Sequence, residues 1–228
     1  MLDCAVLFMI KAVIFDLDGT IANTLLDLTD AVNYALCKYS LPERSVEEVR
    51  TFVGNGMRNL IERSSGMAPE GETFEEILAT FKAHYDIHFC DKTYAYDGIC
   101  DLIGELKNRG LKTAVVTNKD QGVSRIIVNK LCGNVFDIVC GKLDGVPAKP
   151  DPTSTKMVIK ELGVRPEECV FMGDSDVDIL TGIRSGANAV GETWGFRDRA
   201  LLKSVGAKTI IDHPMELLEV IDKLNNEL

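Results

Sequence analysis

The 228 residues are 46% hydrophobic and 26% charged, a globular composition at about 1.5 times the length of a typical domain. Twenty-five Lys and Arg against 35 Asp and Glu leave a formal charge of −10, which repels a phosphate backbone and excludes nucleic acid as a main partner. A small anionic ligand would need its charge offset locally, by a metal or a few well-placed bases.

Near the N-terminus the apolar run from Ala5 to Ile10 lies between Asp3 and Lys11, too short and wrongly flanked for a signal peptide or membrane span. Met9 reads as the natural start. Residues 12–15 form a β-branched run, a first strand. From about 22 to 94 the period changes to that of four successive helices. Leu25, Leu28, Val32, Ala35, Leu36 and Tyr39 share one helical face, and Phe74, Ile77, Leu78, Phe81, Tyr85 and Phe89 share another. Ser45 with Glu48 and Thr73 with Glu76 spell capping boxes at two helix starts. From residue 96 onward strands such as 113–117, 169–172 and 209–211 alternate with helices, one closed by Gly110 and one by Gly163. The pattern predicts an α/β fold, a Rossmann-like, doubly wound and mainly parallel sheet with an inserted helical domain. Cys4, Cys37, Cys90, Cys100, Cys132, Cys140 and Cys169 are odd in number and show no CxxC spacing. They read as reduced, mostly buried thiols of a cytoplasmic protein.

Chemistry concentrates where strands end. Phe15-Asp16-Leu17-Asp18-Gly19-Thr20 places two carboxylates at the carboxyl end of the first strand, the side on which open α/β sheets bind ligands. Such a pair can act as nucleophile and proton donor, can hold a cation, or can cap the next helix. Thr117-Asn118-Lys119 offers a hydroxyl and an amide ahead of a helix, suited to phosphate oxygens. Lys149 is fixed among Pro147, Pro150 and Pro152, and Gly173-Asp174-Ser175-Asp176-Val177-Asp178 adds three carboxylates. His84 and His88 are four apart on one helix, but Tyr85 stands where a zinc protease has Glu, so both read as partly buried helix residues. Trp194 reads as an aromatic packed on the core.

In this order and spacing, the motifs resemble the haloacid dehalogenase superfamily, in particular its phosphoglycolate phosphatase-like members with a helical cap. Val53-Gly54-Asn55-Gly56, Tyr96-Asp97-Gly98 and Trp194-Gly195-Phe196 add to the likeness. The resemblance implies a core of residues 1–21 and 95–228 and a cap of residues 22–94. It implies that Asp16 attacks phosphorus and that Asp18 protonates the leaving alcohol and then activates water. Thr117, Asn118 and Lys149, with Gly19 at the turn, would hold the phosphoryl group. Mg²⁺ would sit on an Asp16 oxygen, the Asp18 carbonyl and Asp174. Asp178 is expected to steady waters or Lys149, Asp176 to face solvent, and Ser175 to cap a helix or touch the site. A phosphate dianion about 4 Å from a carboxylate meets roughly 8 kcal/mol of repulsion at an effective dielectric near 20, more than one lysine offsets.

Substrate choice would then fall to the cap, with Asn55, Gly56, Arg58 and Arg63 as candidates and either arginine able to pair with a substrate carboxylate. The expected substrate is a small phosphorylated metabolite, with 2-phosphoglycolate the leading choice. A sugar phosphomutase similar to β-phosphoglucomutase and an inorganic pyrophosphatase are the alternatives. A non-enzymatic binding protein would be expected to have lost Asp16, Asp18, Lys149 or Asp174, and all four are present. The chain is expected to be a cytoplasmic monomer or weak homodimer.

Overall fold

The computed structural model describes residues 9–226, so Cys4 and the segment ahead of Met9 lie outside the described residues. In chain order the elements are β1 (Ala12–Phe15), β2 (Ala22–Asn23), α1 (Leu25–Lys38), α2 (Val46–Phe52), α3 (Met57–Ser65), α4 (Glu72–His88), β3 (Tyr94–Ala95), α5 (Ile99–Asn108) and β4 (Lys112–Asp120). They continue with α6 (Gln121–Cys132), β5 (Ile138–Lys142), α7 (Thr153–Leu162), a single 3-10 turn (Pro166–Glu168), β6 (Cys169–Gly173), α8 (Asp176–Ser185), β7 (Asn188–Glu192), α9 (Arg199–Ser204), β8 (Thr209–Ile211) and α10 (Glu216–Asn226).

Six strands form one parallel sheet in the order β5-β4-β1-β6-β7-β8. Side chains alternate between two apolar layers. Val13 and Phe15 of β1, Val115 of β4 and Val170 and Met172 of β6 join the larger cluster. Ala12, Ile14, Ala114, Val116, Cys169 and Phe171 join the second, against Val158, Ile159 and Leu162 of α7. This two-sided burial is what a parallel sheet with crossover helices requires. From β1 the chain proceeds to β4 and β5 on one side, and from β6 to β7 and β8 on the other. The switch point falls between β1 and β6, where ligands bind in such sheets.

Helices α1 to α4 lie between β2 and β3, which pair antiparallel and draw the two ends of the insertion together. Leu28, Val32 and Leu36 of α1 and Phe74, Ile77 and Phe81 of α4 are buried in one cluster, each such side chain contributing about 1.5–3 kcal/mol. Asp27 accepts hydrogen bonds from Lys92 N at 2.9 Å and Thr93 Oγ1 at 2.7 Å, fastening the start of α1 to the segment after α4. Ser45 and Glu48 close the capping box at α2. Thr73 and Glu76 do not form one: α4 starts at Glu72 after Gly71, whose φ of 96° turns the chain into the helix early and leaves Thr73 inside the first turn.

The expectation of reduced thiols fails at one pair. Cys100 on α5 and Cys132 at the end of α6 form a disulfide with Cα atoms 5.5 Å apart, while Cys37, Cys90, Cys140 and Cys169 are free. Both helices cover the same face of the sheet, so cysteines separated by 32 residues meet although no local spacing signals it. Among the described residues, no helix is long and apolar enough to cross a membrane.

Glu168 joins the starts of β1 and β6. Its buried carboxylate meets Lys11 Nζ at 2.7 Å and Arg165 Nη2 at 2.9 Å, and these hydrogen bonds hold its pKa down near about 2. A depressed carboxylate stabilises the fold above its unfolded pKa and loses that contribution as pH falls through the folded value. Glu168→Gln should therefore lower Tm at pH 7, and thermal denaturation should show the deficit shrinking as pH falls from about 4.5 towards 2.

Candidate active site

Three acids meet at the switch point. Asp16 follows β1, Asp174 follows β6 and Asp178 lies in the first turn of α8. One carboxylate oxygen from each lies within 4.8 Å of the others, and all three residues are buried. One ammonium faces them: Lys149 Nζ lies 2.8 Å from Asp16 Oδ1 and 2.7 Å from Asp178 Oδ1. Burial pulls the lysine down, but the two aspartates outweigh it and hold its pKa above the ordinary value. Burial and Asp178 push Asp16 up against the pull of Lys149, and burial, Asp178 and Asp16 push Asp174 well up. A buried donor set made wholly of oxygen, three carboxyl groups crowded beside one ammonium, fits a hard divalent cation.

Local sequence makes this crowding possible. Gly19 has a φ of 92°, and a Cβ there would lie 2.4 Å from Asp174 Oδ2. A Cβ on Gly195 would lie 2.3 Å from Asp174 Cβ. Asp178 spends its second oxygen on Ser175 N at 3.1 Å and Ser175 Oγ at 2.5 Å, the capping box that starts α8. Asp176 is half-buried beside them.

Asp18 sits in the turn that follows, receiving Thr24 Oγ1 at 2.6 Å and Lys119 Nζ at 2.9 Å. Lys119 has no role in the motif, yet its side chain is only 6% exposed and also donates to Tyr85 Oη on α4 at 2.6 Å. Burial opposes its charge, but Asp18 and Tyr85 outweigh that and hold its pKa up. Thr117 is buried at the cavity wall. Asn118 differs from an open phosphate ligand, because its side-chain amide donates to Gly54 O and Lys149 O and accepts from Lys149 N. It braces the lysine loop to the insertion.

The loop after β7, which carries Trp194-Gly195-Phe196, adds contacts that the motif itself does not spell out. Phe196 N donates to Asp174 Oδ2 at 2.7 Å. Glu192, wholly buried, orders that loop by accepting from Trp194 N and Gly195 N, and burial beside Asp174 pushes it up to about 10. Arg50 of α2 donates to Gly195 O and Phe196 O, and Arg197 donates back to Arg50 O and Val53 O. Trp194 packs on the larger cluster and donates to Thr20 O.

The resulting cavity has a volume of about 210 Å³ and is lined by both aspartates of the first motif, Thr117, Lys119, Lys149 and Gly56. Arg58 and Arg63 do not line it. Arg58 pairs with Glu75 at 2.5 Å and Pro69 O, and Arg63 donates to Phe52 O and Asn55 Oδ1 on the outer side. The periodicity of α3 places both on a helix without saying which face meets the cavity. His84 stacks on Tyr34 at 4.1 Å, and His88 contacts Asp91. Among the described residues, the one cluster of at least three carboxylate, histidine or cysteine ligands is the aspartate set.

Residues 13–191 match the haloacid dehalogenase-like hydrolase family, and the chain belongs to it. It is 33% identical over 221 residues to phosphoglycolate phosphatase 1 of Pseudomonas aeruginosa, covering 93% of this chain and 80% of that one. It is 30% identical to the N-acetylmuramic acid 6-phosphate phosphatase of the same organism, covering 94% and 96%. A crystal structure of a predicted phosphoglycolate phosphatase from Haemophilus somnus superposes with a TM-score of 0.84 at 27% identity, covering 92% of this chain and 97% of that one.

Because a methyl at position 19 would displace Asp174, Gly19→Ala should lower kcat/KM for p-nitrophenyl phosphate by about 10²-fold, the scale of a 1 Å misplacement. Steady-state kinetics beside a circular dichroism spectrum would check it.

Proposed function

We propose that the protein is a phosphatase that hydrolyses a small phosphomonoester, 2-phosphoglycolate, through an aspartyl-phosphate on Asp16. The observation that carries this reading is the position of Asp16 and Asp18 on the floor of a small cavity beside Lys149. Asp16 supplies the attacking oxygen, whose bond to phosphorus forms as the bond to the leaving oxygen breaks. Asp18 gives its proton to that oxygen. Asp18 then takes a proton from water, the water oxygen bonds to phosphorus, and the Asp16–phosphorus bond breaks to release inorganic phosphate. Lys149 and the Thr117 hydroxyl hold the phosphoryl oxygens, and Asp178 and Asn118 keep Lys149 in place.

The acid cluster suits Mg²⁺ held by an Asp16 oxygen, the Asp18 backbone carbonyl and Asp174. When bound, the ion neutralises charge on the phosphoryl oxygens. Residues 22–94 act as a cap that closes the cavity over a core formed by the described residues on either side of that segment, joined to it by Arg50, Arg197 and Asn118. A cavity of about 210 Å³ lies below the usual 300–1,000 Å³ of sites for drug-sized ligands. That favours a two-carbon leaving group over N-acetylmuramic acid 6-phosphate or a sugar phosphate.

Phosphate release should be fastest with 2-phosphoglycolate in a panel that includes sugar phosphates, nucleotides, N-acetylmuramic acid 6-phosphate and pyrophosphate. Asp16→Asn should abolish turnover with the fold intact. Asp18→Asn should slow it by about 10²–10⁴-fold, the usual worth of a general acid–base group. Normal turnover by Asp16→Asn would reject the nucleophile, and a faster sugar phosphate or pyrophosphate would reject the substrate.

A further inference from the structure

We infer that Lys119, held from the cap by Tyr85, is the specificity residue that pairs with an acid group on the leaving alcohol. The inference rests on the phosphatase reading above and names the group that makes a two-carbon acid the preferred substrate. Each cation near the cavity has a distinct assignment. Lys149, paired with Asp16 and Asp178, faces the phosphoryl group. Arg197 is spent on backbone carbonyls of residues 50, 51 and 53. Lys82 lies exposed at the rim. Lys119 lines the cavity as well, buried, with Nζ 2.9 Å from Asp18 Oδ1 and 2.6 Å from Tyr85 Oη.

Its place beside Asp18 decides what it can read. The leaving oxygen must come within hydrogen-bond reach of Asp18, and in glycolate the carboxylate carbon is two bonds from that oxygen. An acid group so placed falls beside the Lys119 ammonium, whereas one at the far end of a sugar does not. The ammonium itself is buried and the cavity also carries apolar Leu28, Val53, Met57 and Leu60, so a charge pair formed there gains from the low local dielectric. Tyr85 fixes the direction of approach: its hydroxyl accepts from Nζ while the ammonium lies 4.8 Å from its ring centroid. Because Tyr85 belongs to α4, this recognition is complete only with the cap seated over the core.

The test compares 2-phosphoglycolate with ethyl phosphate, of similar size but without the acid group, in wild type, Lys119→Met, Lys119→Arg and Tyr85→Phe. Lys119→Met should slow both substrates, through lost support of Asp18, and should also reduce the phosphoglycolate preference by at least about tenfold, as expected for removal of one partner of a buried charge pair. Product inhibition by glycolate should weaken in parallel. Lys119→Arg should recover part of the preference, and Tyr85→Phe should erode it less than Lys119→Met. A wild-type preference that survives unchanged in Lys119→Met, with glycolate inhibition intact, overturns this role and leaves the phosphoglycolate reading standing. A wild type that does not prefer phosphoglycolate to ethyl phosphate rejects that reading and this inference together. A Lys119→Met variant that does not fold leaves the Lys119→Arg and Tyr85→Phe ratios to decide: no change in either overturns the assignment.

Discussion

Three buried carboxylates crowd around one ammonium that pairs with two of them. Asp16, Asp174 and Asp178 cluster where the parallel sheet changes direction, with Lys149 bound to Asp16 and Asp178, and much of the surrounding structure serves to hold these acids in place. Separate segments supply the restraints. Asn118 grips the backbone of Lys149 on both sides, the Ser175 capping box fixes Asp178, and Phe196 N–H binds Asp174. Two glycines, Gly19 and Gly195, give Asp174 the room that any side chain would take. Like charges held this close raise one another's pKa unless a cation joins them, which ties the strength of the site to the ion it can hold.

The same restraints join the insertion to the sheet. Arg50 and Arg197 cross between α2 and the loop that positions Asp174. Asn118 reaches Gly54 in the insertion while bracing Lys149 in the core, and Lys119 links Asp18 to Tyr85. Each contact has one end on the helical segment and the other on a residue next to the acids. Packing of helices α1 to α4 against the sheet and ordering of the acid cluster are therefore coupled through hydrogen bonds that share partners.

The sheet and the acids were legible because they are local. β1, β4 and β6 are short apolar runs, and DxDGT and GDSxxD write the carboxylates in order. β5 and β7 are harder to see, since each carries a glycine where an apolar side chain would complete the pattern. A Cβ on Gly141 would fall 2.5 Å from Gln121 Cα, and one on Gly191 would crowd Leu202. Residues whose part depends on distant partners were not legible. Lys119 stands beside Thr117 and Asn118 in plain view, but its burial depends on Tyr85, 34 positions away. Glu192 reads as one acid among 35 until β7 carries it beneath the 193–196 loop. Arg58 and Arg63 show the converse: the right charge in the right segment, turned towards Glu75 and Asn55.

A divalent cation among Asp16, Asp174 and Asp178 would relieve their crowding. Titration calorimetry of chelator-stripped protein with Mg²⁺ tests it most directly, run beside Asp174→Asn and beside Asp176→Asn, which alters a neighbouring acid outside the cluster. Saturable binding by wild type and Asp176→Asn, with strong loss in Asp174→Asn, is the predicted result. Equal Mg²⁺ affinity in all three proteins, or no binding by wild type, would contradict it.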